Sequence, residues 1–199
     1  MIARNVYEYV GATYFDICRD RTVVEIGPYD GEFTEQILAH NPKLVVAIEA
    51  SLPAVVKVER KFKTDSRVKT VHGDMHFDLA QVGSIDVAIV LGVIYHSPAP
   101  LFFLEELVNQ CNPEIILLDM PGSSPGWGVE CQREEPNISG MRFTTTNRKT
   151  CNIVIQLYVE TVVEAMRNLG YGVARANTYP YDVNIKGGVP IFQFEKVNI

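Results

Sequence analysis

Residues 24–33 read Val-Glu-Ile-Gly-Pro-Tyr-Asp-Gly-Glu-Phe. An apolar run from Thr22 to Gly27 passes straight into a turn holding two glycines, and one carboxylate, Glu25, lies inside the run. β-branched residues ending at a glycine read as a buried strand, and Glu32 to His40 behind them read as a helix. The stretch is therefore a βα unit. An acid within a buried apolar strand is costly without partners, so Glu25 marks this turn as a ligand site in preference to simple punctuation.

The same unit recurs along the chain. Leu44 to Glu49 reads as a second strand, followed by a helix that Ser51 caps, with Pro53 in its first turn and Val55, Val58 and Phe62 on one face. Val68 to Asp74 is a third strand and Ile85 to Gly92 a fourth. Ser97-Pro98 then opens a helix carrying Leu101, Leu104, Leu107 and Val108, and Glu114 to Met120 is a fifth strand. Gln156 to Leu169 fits a helix ending at Gly170. Tyr171 to Tyr179 and Val189 to Val197 are two more strands, too close for a crossover helix, so they form an antiparallel hairpin. The expected fold is α/β and doubly wound: a mostly parallel seven-stranded sheet with a C-terminal antiparallel hairpin and helices on both faces. Residues 1–199 read as a single domain with an insertion or lid at about 121–151, rich in Pro, Gly and Ser and holding the only tryptophan, Trp127.

Composition narrows the function. The chain is 47% hydrophobic and 21% charged, with a formal net charge of −6, which disfavours a broad phosphate-neutralising surface and hence a nucleic-acid partner. The longest apolar stretch, Val87 to Tyr95, is far shorter than the roughly 20 residues that span a bilayer, so no membrane partner is expected. The N-terminus shows no basic region followed by an apolar one, and the four cysteines lack C-x-x-C spacing. A cytoplasmic protein with reduced thiols is the expectation, and a homodimer is compatible with it.

Ligands of open parallel sheets bind beyond the carboxyl ends of the strands, near the reversal of strand order. A dinucleotide fingerprint would need glycine at 27, 29 and 32, so that pyrophosphate meets bare backbone. Tyr29 and Glu32 stand there instead and disfavour nicotinamide cofactors. A ligand with an adenosine, a sulfonium and an amino-acid tail tolerates both.

The motif Glu25-Ile-Gly27-Pro-Tyr-Asp-Gly31, the acidic Glu49 ending the second strand and Asp74 in His-Gly-Asp-Met after the third together resemble the class I S-adenosylmethionine-dependent methyltransferases. The resemblance covers nearly the whole chain, and the reversed seventh strand of that fold suits the terminal hairpin. It implies S-adenosylmethionine as cofactor, with Gly27 and Gly31 along the methionine moiety, Glu49 on the ribose hydroxyls, and Asp74 with the Met75 backbone at the adenine edge. Glu25, Pro28, Tyr29, Phe33, Ala50 and Leu91 complete the implied cofactor-binding set.

Methyl transfer from a sulfonium is an in-line displacement with an activated donor, so the protein chiefly positions the nucleophile and takes its proton. Tyr95 and His96, in Leu-Gly-Val-Ile-Tyr-His-Ser-Pro after the fourth strand, are the catalytic candidates, His96 as general base. The pair resembles the Tyr-His of small-molecule methyltransferases and of the related tRNA wobble-uridine carboxymethyltransferase. The chain lacks the Asn/Asp-Pro-Pro-Tyr/Phe signature used on amino groups, and a small-molecule acceptor is favoured over a tRNA. A non-catalytic cofactor-binding module is the alternative from another class. His72, Asp74 and His76 alternate as metal ligands on a strand would, but Asp74 is claimed by adenine, and no metal is expected. Trp127, Arg133, Arg142 and Arg148 either clamp an anionic or aromatic acceptor or sit in a solvated loop.

Overall fold

The computed structural model describes residues 2–76, 78–120, 129–134, 152–179 and 189–197. In chain order the elements are α1 (Ile2–Tyr14), β1 (Thr22–Ile26), α2 (Glu32–Ala39), β2 (Leu44–Glu49), α3 (Leu52–Lys61), β3 (Val68–His72), β4 (Val87–Val90), α4 (Pro100–Cys111), β5 (Ile115–Asp119), β6 (Val129–Glu134), β7 (Asn152–Leu157), α5 (Val159–Asn168), β8 (Tyr171–Tyr179) and β9 (Val189–Lys196). Seven strands form one sheet in the order β3-β2-β1-β4-β5-β9-β8. Strands β1 to β5 are mutually parallel, and β9 runs antiparallel to both its neighbours, β5 and β8. The doubly wound sheet and its terminal hairpin are thus both present.

The near-continuous Val and Ile runs follow from burial on both faces. On one face Val24, Ile26, Ala88, Val90, Ile116 and Leu118 pack against Phe103, Leu104 and Leu107 of α4 and Val162 and Met166 of α5. On the other, Val23, Val45, Val87, Ile89 and Leu117 meet Val10 and Tyr14 of α1 and Ile37 of α2. Two thiols, Cys18 and Cys111, are free and buried, and burial pushes them up to about 12 and about 11. They stay protonated and behave as small apolar side chains.

Three sequence expectations are displaced locally. Gln156 and Leu157 lie in β7, and the helix expected from Gln156 begins at Val159. The β-branched run Asn-Ile-Val-Ile-Gln-Leu finds a strand partner in β6, and pairing overrides helical periodicity. Ser51 stands at the N-cap of α3, but its side chain makes no capping bond. After Ser97-Pro98 the helix starts only at Pro100, because residues 94–96 first make a 3-10 turn and the Ser97 hydroxyl accepts the Ala99 N–H at 3.0 Å. Of the insertion expected at 121–151, β6 is described and pairs antiparallel with β7. Trp127, Arg142 and Arg148 lie outside the described residues. Among the described residues no helix is long and apolar enough to cross a membrane.

Adjacent phenylalanines on α4 give a clean test of the core. Phe103 is fully buried, whereas Phe102 is 50% exposed. Urea denaturation of Phe103→Ala is expected to show a loss of about 3–5 kcal/mol, and Phe102→Ala a loss of under about 1 kcal/mol.

Candidate active site

Strand order reverses between β1 and β4, since β2 and β3 extend the sheet one way and β5 the other. Their carboxyl ends diverge there and leave a cleft of about 350 Å³, within the range of small-ligand pockets. One wall comes from β1 and β2 (Gly27, Tyr29, Glu49, Ala50), the floor includes Met75, and the opposite wall is Gly92, Val93 and His96.

The donor-side wall is built by backbone. Glu49 is only 6% exposed, and its carboxylate accepts the Ser51 N–H at 2.7 Å on one oxygen and the Tyr29 N–H at 3.1 Å on the other. Tyr29 reaches this position through a left-handed backbone (φ 52°), which costs a non-glycine residue roughly 1–2 kcal/mol. The amide bond to Glu49 offsets part of that strain. Gly27 also has positive φ (68°), and a Cβ there would lie 2.3 Å from Val93 Cγ1. Its N–H donates to the Ile48 carbonyl at 2.8 Å, so the turn can neither move nor thicken.

Beneath the turn lies Glu25, 2% exposed and hydrogen-bonded by the Thr34 hydroxyl at 2.6 Å. Burial raises its carboxyl to about 7, and nearby Glu49 and Asp30 push the same way against the Thr34 bond and Lys61. It faces α2 and is not part of the cleft wall. Pro28 and Gly31 are buried in the same turn. Phe33 turns to the α1 side, edge-on to Tyr7 at 4.7 Å and to Phe15 at 5.9 Å, and Leu91 is buried in the core on that face. Asp74 closes its own turn: its carboxylate accepts the His76 N–H, and its N–H donates to Asp78. Of the pair after β4, His96 lines the cleft and Tyr95 packs on it with ring centres 4.2 Å apart. Burial holds His96 below the ordinary histidine range.

His72, Asp74 and His76 do not converge. The His72 ring nitrogen is 3.3 Å from the Ala50 carbonyl and that of His76 2.8 Å from the Ser97 hydroxyl. No metal-binding group of His, Cys, Asp or Glu occurs among the described residues. Sequence reasoning missed Ser51, Lys57, Gly92 and Val93 in the cleft. Lys57 sits one helical turn into α3 with its ammonium 5.1 Å from the Tyr29 ring centre, a position no motif marks.

Residues 24–118 match the family model of a methyltransferase domain. Ribosomal RNA small subunit methyltransferase A of Sulfurihydrogenibium sp. (strain YO3AOP1) is 37% identical over 79 residues, 40% of this chain and 30% of that protein. The tRNA U34 carboxymethyltransferase of Pseudoalteromonas atlantica is 29% identical over 102 residues, 49% of this chain and 31% of that protein. The chain thus spans under a third of the length of these curated relatives. The structure of Burkholderia thailandensis 1,6-didemethyltoxoflavin-N1-methyltransferase with bound 1,6-didemethyltoxoflavin and S-adenosylhomocysteine superposes with a TM-score of 0.67 at 15% identity, covering 98% of this chain and 78% of that one. The fold is thus that of a solved S-adenosylhomocysteine-bound methyltransferase, and the match to the methyltransferase-domain model covers residues 24–118, just under half of the chain.

Two measurements probe this geometry. Gly27→Val is expected to abolish S-adenosylhomocysteine binding in calorimetry while far-ultraviolet circular dichroism stays native. The Glu25 carboxyl holds its proton more tightly folded than unfolded, where its pKa is about 4.3. Its contribution to stability is therefore complete below about pH 4 and fades as pH rises through about 7. Urea midpoints at pH 4.5 and 7.5 should show Glu25→Gln gaining on the wild type at the higher pH. The gain should reach up to about 3 kcal/mol, since each tenfold difference in proton affinity between the folded and unfolded chain is worth about 1.4 kcal/mol.

Proposed function

We propose that the protein methylates a small-molecule acceptor, with S-adenosylmethionine as donor and His96 as the base. The observation that carries this reading is the pairing of a carboxylate preset by two backbone amides, Glu49, with an imidazole on the facing wall of one cleft. The residues fit the donor. Glu49 offers two fixed oxygens to vicinal hydroxyls, Gly27 leaves room for the amino-acid tail, and Met75 and Ala50 give apolar surface to a purine. When bound, the donor supplies a methyl carbon on a sulfonium, ready for displacement.

The protein's share is orientation and proton removal. His96, kept neutral at physiological pH by burial, would take the proton from the acceptor's nucleophilic atom. Tyr95, packed on His96, limits the ring's rotation. The acidic net charge and the bound acceptor in the didemethyltoxoflavin enzyme support a small acceptor. The names of the curated relatives favour a second reading, an RNA acceptor. A cofactor-binding module without turnover is the third.

Incubation with methyl-labelled donor and fractionated cell extract separates them. Label in the small-molecule fraction is the expected result; label in RNA supports the second reading, and donor binding without label supports the third. His96→Ala should reduce label transfer about 10²- to 10⁴-fold while donor affinity stays within about threefold, and an equal loss of affinity removes the base role. Because the base must be unprotonated, the acid limb of the wild-type rate profile should fall below about pH 6.5, the ordinary histidine value.

A further inference from the structure

We infer that Asp119, at the end of β5, is a positioning residue that sets the height of the catalytic wall. The inference rests on the function proposed above. Asp119 is 1% exposed and does not line the cleft. One carboxylate oxygen accepts the Gly92 N–H at 2.7 Å, across from β4 to the neighbouring strand. A buried acid at a strand end is costly, and a charge-assisted bond to a backbone amide is among the stronger ways to satisfy it.

Gly92 is where the chain leaves β4 and turns into the cleft. Its φ is +72°, yet a Cβ there would meet nothing within 4 Å. Glycine is thus required by the turn's backbone and not by crowding, and an open, permissive residue needs an external anchor to hold one conformation. Asp119 provides it. Val93 follows, with its Cγ1 2.3 Å from where a Cβ of Gly27 would be, and the 3-10 turn Ile94–His96 comes next, tied back by the His96 N–H to the Val93 carbonyl at 2.9 Å. A chain of contacts therefore runs from Asp119 through Gly92 and Val93 to His96 on one side and Gly27 on the other. Asp119 itself is fixed by the pairing of β5 with β9, where it stands opposite Ile191, and by the Met120 N–H on the Pro190 carbonyl at 3.0 Å. The distance between donor turn and base is set from the core of the sheet.

Three proteins test this: wild type, Asp119→Asn, which keeps an oxygen acceptor, and Asp119→Leu, which keeps the branched shape and loses the acceptor. The readouts are hydrogen exchange of the Gly92 amide, calorimetric affinity for S-adenosylhomocysteine, and label transfer from methyl-labelled donor into fractionated extract. The Asn variant should keep Gly92 protected, with affinity and transfer within about fivefold of wild type. The Leu variant should lose Gly92 protection and about 100-fold in transfer, as a displaced base does, with affinity within about threefold. Transfer abolished in the Asn variant with Gly92 still protected would overturn the inference, because the carboxylate would then take part in the chemistry. Unchanged Gly92 protection in the Leu variant, or an affinity loss matching the transfer loss, would overturn it too. A wild type that transfers no label refutes the proposed function, while the Gly92 exchange still decides whether Asp119 holds the turn. Should the Leu variant fail to fold, Asp119→Ser and Gly92→Ala give the same comparison: protection and transfer lost together support the inference, and transfer retained without protection overturns it.

Discussion

Two backbone amides converge on the carboxylate of Glu49, and the donor side of the cleft depends on that convergence. One amide belongs to the residue that opens α3 and the other to the turn after β1, so a single side chain fastens two consecutive βα units at their sheet ends. The Ser51 amide is two residues from Glu49, but the Tyr29 amide would not find it unless β1 and β2 were in their parallel register, with Ile26 opposite Ile48. The register in turn rests on apolar runs buried on both faces of the sheet. Site geometry and core packing are one constraint seen at two distances from the sheet axis.

The cleft then divides into a rigid half and a tethered half. On the Glu49 side, backbone bonds and a glycine packed against Val93 leave little freedom, and a left-handed Tyr29 is the visible cost of that precision. On the His96 side the wall is a short 3-10 turn reached through an unencumbered glycine. Strand β7 runs beside this turn, and Leu157 at its end joins the core beneath. This turn thus packs on α4 within the family match and on β7 outside it, the match ending at residue 118.

Much of this is legible in the chain because the signals are local. β2 is bounded to the residue by its apolar run, and Gly27 and Glu49 stand out because a glycine or carboxylate at the end of a Val/Ile strand has few other reasons to be there; Glu25, marked by the same signal, instead bonds Thr34 away from the cleft. What escapes is non-local. Nothing near Lys57 shows that α3 carries it over Tyr29, and nothing near Asp119 shows that it reaches Gly92, 27 residues earlier. Phe33, next to the glycine motif, turns to α1 because Tyr7 and Phe15 offer it an aromatic pocket. The start of α5 is misplaced from sequence because Asn152–Leu157 suits either period until its partner β6 is known.

The place of β9 has a consequence for how the molecule assembles. It follows every other described strand yet lies inside the sheet, between β5 and β8. Until residues 189–196 leave the ribosome, β5 is an open edge of wholly apolar side chains from Ile115 to Leu118, and β8 has no sheet to join. The slowest contacts to form are those of greatest sequence separation, and an unpaired hydrophobic edge invites association with other chains. Completion of the sheet therefore waits on the emergence of β9. In the interval before it, the nascent protein depends on dilution or on a chaperone to stay single.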